Sequence, residues 1–116
     1  MLWKLKGYSK YKNKKYIDEN GVKWDSKKEY QFYLQLLEND KIKDIERQVE
    51  YILIPKQTNE NGKFLFHPVK YKLDFKYYSE EDNKIHYVDV KGFKTKDYQI
   101  KKKLMYYIHK IIIEEK

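Results

Sequence analysis

Two aspartates stand inside stretches that otherwise read as buried β-strand. Asp74 lies in Tyr71-Lys72-Leu73-Asp74-Phe75, and Asp89 sits between Val88 and Val90. A carboxylate at such a position is costly unless it is paired, hydrogen-bonded or bound to a metal, so each acid calls for a partner. Asp89 and Lys91 are two apart on one strand and project from the same face, and Asp74 on the preceding strand can lie beside them. The D-x-K spacing alone decides little in so Lys-rich a chain, because Asp25 with Lys27, Asp74 with Lys76 and Asp82 with Lys84 share it. Asp25 falls at a helix start and Asp82 in a polar turn, where capping and turn roles explain them. Only Asp89 and Lys91 lie on an apolar strand that follows another strand carrying an acid. A structural ion pair at a sheet edge is the competing explanation.

The rest of the chain can be laid out around that pair. Lys15-Tyr16-Ile17-Asp18 and Val22-Lys23-Trp24-Asp25 flank Glu19-Asn20-Gly21, and the Asn-Gly pair signals a hairpin. Ser26-Lys27-Lys28-Glu29 fits a capping box, and Tyr30, Phe32, Tyr33, Leu36 and Leu37 follow at helical spacing, predicting a helix from about Ser26 to Glu38. Ile45 to Ile54 is rich in β-branched residues and stops at Pro55, as a strand does. Gln57 to Lys63 reads as a turn into a long strand from Phe64 to Tyr78, bent at Pro68, and Glu80 to Asn83 as another turn. Ile85 to Lys91 has apolar residues on both alternating faces, the pattern of a strand covered on both sides, and Gly92 ends it. Asp97 to His109 reads as a helix and Ile111-Ile112-Ile113 as a short closing strand. The expected fold is α/β, in the order helix, strand, strand, strand, helix, strand, with a mixed central sheet.

The 116 residues carry 26 Lys plus Arg against 18 Asp plus Glu, a formal charge of +8, yet 41% are hydrophobic and 17% aromatic. That is too much apolar material for a disordered basic tail, so residues 15–116 are expected to form one folded domain behind a basic arm at 1–14. Without cysteine, disulfide scaffolds, zinc knuckles and thiol catalysis are excluded. No apolar run approaches the roughly 20 residues of a membrane span and none resembles a signal peptide, so a cytoplasmic protein is expected. Every basic residue but Arg47 is Lys and there is no Ala. Such a bias suggests an AT-rich genome, and the charge is discounted accordingly. Its clustering is harder to set aside. Lys12, Lys14 and Lys15 close a basic arm interleaved with Trp3, Tyr8 and Tyr11, and Lys94, Lys96, Lys101, Lys102 and Lys103 follow Lys91. Both clusters suit a phosphate backbone, and both equally suit solvated surface.

Two carboxylates and a lysine suit phosphodiester hydrolysis. The acids would hold Mg²⁺ or Mn²⁺, which prefer oxygen ligands, and Lys91 could orient the attacking water or offset charge on the phosphorane. Glu29 is a candidate third acid, although a capping box alone explains a Glu three residues after Ser26. His67, His86 and His109 show no metal-ligand spacing, and no Gly-rich phosphate loop is present.

The ordered strings Asp25-Ser26-Lys27-Lys28-Glu29, Tyr71-Lys72-Leu73-Asp74-Phe75, Val88-Asp89-Val90-Lys91-Gly92-Phe93-Lys94-Thr95 and Ile100-Lys101-Lys102-Lys103 resemble a family of small phage-encoded proteins long labelled a domain of unknown function. That family is placed in the PD-(D/E)XK nuclease superfamily, whose core is restriction-endonuclease-like. The resemblance covers about residues 11 to 113. It implies that Asp74 and Asp89 are metal ligands, that the Val90 carbonyl completes the coordination, that Lys91 is the catalytic lysine and that Glu29 is a further acid. Related Holliday junction resolvases and the TnsA transposition endonuclease use a Glu on the first helix as an additional ligand. Thr95 and the lysines at 101 to 103 match as DNA contacts. Two departures stand out: the middle acid is Asp89 where the superfamily more often has Glu, and no Pro precedes Asp74. The chain also stops soon after its last strand, with no room for an added recognition domain. The expectation is therefore a Mg²⁺- or Mn²⁺-dependent endonuclease of a phage or mobile element, acting as a homodimer on branched or recombination-intermediate DNA. The competing expectations are a non-catalytic DNA- or protein-binding module on this fold, and a nuclease subunit active only with a recombination or transposition partner.

Overall fold

The structure, a computed structural model, describes residues 15–90 and 95–116, which fall into two compact units divided between Glu38 and Asn39. Lys12, Lys14, Lys91 and Lys94 lie outside the described residues.

The first unit is a small hairpin followed by a helix. β1 (Tyr16–Ile17) pairs antiparallel with β2 (Lys23–Trp24). Gly21 closes the turn at φ 83°, a left-handed conformation that other residues adopt only with strain. Asp18 organises this turn: its carboxylate accepts from the Asn20 N–H at 2.9 Å, the Val22 N–H at 3.0 Å and the Trp24 indole N–H at 3.0 Å. Trp24 is buried, with Tyr30 and Tyr33 rings 5.1 Å from it. α1 (Lys27–Glu38) starts where the Ser26 hydroxyl accepts the Glu29 N–H at 3.1 Å. Its buried residues are Glu29 and Leu36, seven apart on one face.

The second unit is a four-stranded mixed sheet with one helix. β3 (Ile42–Ile54), β6 (Val69–Ser79) and β7 (Lys84–Asp89) are antiparallel neighbours, and β8 (Glu114–Glu115) joins β7 in parallel. α2 (Lys96–His109) buries Tyr98 and Met105 into a core with Leu53, Tyr71, Leu73, Ile111 and Ile113. The expected α/β organisation with a mixed sheet is present. Among the described residues no helix is long and apolar enough to cross a membrane.

Four local expectations are corrected. β3 begins three residues before Ile45, because a register shift between Lys43 and Glu46, with Asp44 at φ 55°, breaks the alternation there. The stretch from Phe64 to Tyr78 is two strands: β5 (Phe64–Phe66) pairs with β4 (Gln57–Thr58) in a separate ribbon, and β6 starts only after Pro68, which has no N–H for a ladder. β7 is covered only at its end, with Ile85 exposed and Val88 and Asp89 fully buried. Ile111 to Ile113 is not a strand. Lys110 turns left-handed at φ 60°, the Ile111 N–H bonds back to the Met105 carbonyl at 3.3 Å, and ladder pairing starts at Glu114.

The indole and backbone donors around Asp18, the Trp24 N–H foremost, hold its carboxyl below the usual aspartate range. A depressed native value contributes stability above the unfolded pKa, near 4, and that contribution disappears as pH falls through the native value. Asp18→Asn is therefore expected to lower stability at neutral pH and to flatten the loss below about pH 4, measured by urea melts across pH 2–7.

Candidate active site

The acid pair is built by strand register. The paired part of β6 and β7 ends where Phe75 lies opposite Val88, and Asp74 and Asp89 are the residues just beyond that pair. Both are buried, at 3% and 0% exposure. The Val90 N–H donates to Asp74 Oδ2 at 2.7 Å, so the chain leaving β7 is fastened to the acid on β6. The Tyr71 hydroxyl donates to Asp89 Oδ2 in a short, buried hydrogen bond. The Asp89 carbonyl accepts the Lys116 N–H at 3.0 Å. Beside Asp89 on the parallel strand, Glu115 accepts from the Tyr98 hydroxyl at 2.9 Å and from Lys102 Nζ at 2.8 Å. On the same strand pair, His86 sits between Glu114 (2.6 Å) and Asp82 (2.8 Å) and stacks on Tyr77 with ring centroids 5.2 Å apart.

A charged carboxylate loses several kcal/mol of hydration on burial, and donors such as a backbone N–H and a tyrosine hydroxyl restore only part of it. A divalent cation with a preference for oxygen is one counter-charge that carboxylates such as Asp74 and Asp89 could hold. The Val90 backbone lies at the same place, held by Asp74.

Glu29 belongs to the first unit. It is 1% exposed on the buried face of α1, and its carboxylate lies within 4.8 Å of that of Asp25. Asp25 in turn takes Lys15 Nζ at 2.6 Å, and this hydrogen bond, with the attraction of the carboxylate, raises the Lys15 pKa. The helix-start position of Asp25 suggests a cap, but the Ser26 hydroxyl makes that contact and Asp25 stands next to Glu29 instead.

Of the basic residues expected to touch DNA, Lys15 lies on the surface paired with Asp25. Thr95 is the N-cap of α2, its hydroxyl accepting the Tyr98 N–H at 3.0 Å. Lys96 and Lys103 are exposed, Lys101 pairs with Asp97 at 3.5 Å, and Lys102 pairs with Glu115. Tyr71, Tyr98 and Glu115 do not stand out in the sequence, since Tyr71 and Asp89 are 18 residues apart and Tyr98 and Glu115 are 17 apart. A tyrosine three residues before an acid in an apolar strand is the one trace they leave.

Burial pushes the Tyr71 and Tyr98 hydroxyls well above the ordinary tyrosine range, and the carboxylates they bond reinforce the shift. Burial likewise pushes Tyr77 up to about 12. A raised native value contributes stability that is fully present below the unfolded pKa near 10 and is lost as pH rises through the native value. Urea stability is expected to hold up to about pH 10 and fall above it, with tyrosinate absorbance of Tyr71 and Tyr98 appearing only on unfolding. Tyr71→Phe removes a donor from a fully buried carboxylate and is expected to cost about 1–3 kcal/mol in equilibrium urea unfolding at neutral pH.

The model of a family described as "Protein of unknown function (DUF1064)" matches residues 8–113. No curated protein and no solved structure matches the chain.

Proposed function

The chain belongs to that family, and from its neighbouring buried aspartates we propose that it is a metal-dependent endonuclease of the PD-(D/E)XK kind, hydrolysing DNA phosphodiester bonds for a phage or mobile element. The observation that carries this reading is that Asp74 and Asp89, at the end of the paired part of β6 and β7, are both buried, the first accepting from the Val90 N–H and the second from the Tyr71 hydroxyl. A domain with no catalytic duty gains little from two buried carboxylates, since apolar residues of similar size serve a core as well or better.

In this reading Asp74, Asp89 and the Val90 carbonyl hold Mg²⁺ or Mn²⁺, and Glu29 is a further acid assigned by the family pattern. When bound, the ion supplies a water of lowered pKa and polarises the phosphate. The protein's part is orientation: Tyr71 fixes the rotamer of Asp89, and the Val90 N–H fixes that of Asp74. Lys91 would position the attacking water or offset the negative charge that builds on the oxygens of the phosphorane as the P–O bond to the leaving group breaks. The net charge of +8 brings the polyanion to the protein. Preference for branched DNA follows from the resemblance to junction-cleaving nucleases.

The full chain incubated with junction, flap and linear DNA in Mg²⁺ or Mn²⁺ is expected to cut, with chelation abolishing the reaction. Asp74→Asn and Lys91→Ala are each expected to lower the rate by at least about 100-fold. Absence of cutting, or cutting that survives both substitutions, overturns the assignment. Salt-sensitive DNA binding unaffected by Asp89→Ala would then identify a binding module.

A further inference from the structure

The ribbon between β3 and β6 presents apolar side chains to solvent. Phe64, Leu65 and Phe66 are consecutive and 44%, 46% and 60% exposed. A strand with one covered face would bury at least every second residue. The exposure does not come from a loose loop. The Asn59 carboxamide oxygen accepts the Asn61 and Lys63 N–H groups at 2.8 and 3.0 Å, the Asn59 N–H reaches the Lys63 carbonyl at 2.8 Å, and Gly62 takes the left-handed position at φ 81°. A well-ordered turn thus holds out an apolar strand, as a contact surface requires and a core does not. Lys63 directly precedes Phe64, while Lys56 Nζ lies over the Phe64 ring at 5.9 Å from its centre and the His67 ring packs against Phe64 at 4.6 Å, so Phe66 is the more open aromatic face.

We propose that this ribbon is a stacking wedge for unpaired bases at a branch or frayed end of DNA, with Phe66 meeting a base face, the open edge of Phe64 supporting it, and Lys56 and Lys63 meeting the adjoining phosphates. The proposal rests on the DNA reading above and adds what selects the substrate. The three side chains offer on the order of 300 Å², well short of the roughly 800 Å² per partner of a stable protein interface, yet enough to cover one or two bases. Aromatic faces flanked by lysines are the chemistry that single-stranded segments recognise without reading their sequence.

The test uses the full chain, with Ca²⁺ replacing Mg²⁺ for binding, against a flap carrying 2-aminopurine at its branch and against the matching plain duplex. The double variant Phe64→Ala, Phe66→Ala is expected to bind the flap about 10-fold more weakly, to bind duplex within about 2-fold of the parent, and to lose the quenching of 2-aminopurine that stacking produces. Lys63→Ala is expected to weaken flap and duplex alike, with a salt slope lower by about one. Unchanged melting temperatures establish that the variants fold. The wedge is overturned if the double variant loses flap and duplex binding equally or loses neither, by a parent protein that binds neither DNA, or by a parent dimer that the double variant splits, which would make this face a contact between copies. A flap preference that depends on the phenylalanines, without any cutting in Mg²⁺, keeps the wedge and removes the nuclease. Cutting that both proteins perform alike on flap and duplex keeps the nuclease and removes the wedge.

Discussion

The larger unit encloses two carboxylates, Asp74 and Asp89, inside its sheet. Asp74 and Asp89 occupy the middle of β6 and the end of β7, where the sheet would otherwise continue as Leu73, Phe75 and Val88 do, fully buried. The Val90 N–H and the Tyr71 hydroxyl act on them from different directions, one from the backbone just past β7 and one from the core face of β6. Because Tyr71 also packs with Leu73, Tyr98 and Met105, the orientation of Asp89 is tied to the packing of α2. A change in that core is therefore felt at the acid without any direct contact.

The short β8 extends the same logic. Two residues of parallel ladder are a weak element by themselves. They are held because Glu114 meets His86, Glu115 meets Tyr98 and Lys102, and the Lys116 N–H meets the Asp89 carbonyl. The apolar Ile111 and Ile113 fill the core just ahead of this strand, while Ile112 is exposed. Three identical side chains thus take different roles according to where the left-handed Lys110 has turned the chain.

The elements that local chemistry defines were legible in the residues. Asn20-Gly21 and Ser26 to Glu29 mark the hairpin and the helix start, and the apolar settings of Asp74 and Asp89 draw attention to both acids. What stayed hidden depends on geometry that residue types do not encode locally. The start of β3 was obscured by a bulge, the separation of β5 from β6 by an apolar composition that continues across Pro68, and the irregular path of Ile111 to Ile113 by a left-handed lysine where glycine is usual. At the site, the acids showed themselves because a carboxylate among valines is anomalous. The tyrosines that orient them did not, because a tyrosine among apolar residues is ordinary and its hydroxyl finds its partner only in the folded sheet.

The irregularities of β3 have a bearing on how the protein behaves when crowded. This 13-residue strand is bonded to β6 on one side and ends the order of the four-stranded sheet. A long straight strand in that position offers its unused amides and carbonyls as a template for other chains. Asp44 and Gln48 both adopt left-handed conformations, at φ 55°, and Lys43, Glu46 and Glu50 are exposed along its length. The strand is therefore bent and charged where a straight apolar one would recruit copies of itself. The same bulge that blurred its start in the sequence acts as a guard against fibrous self-association.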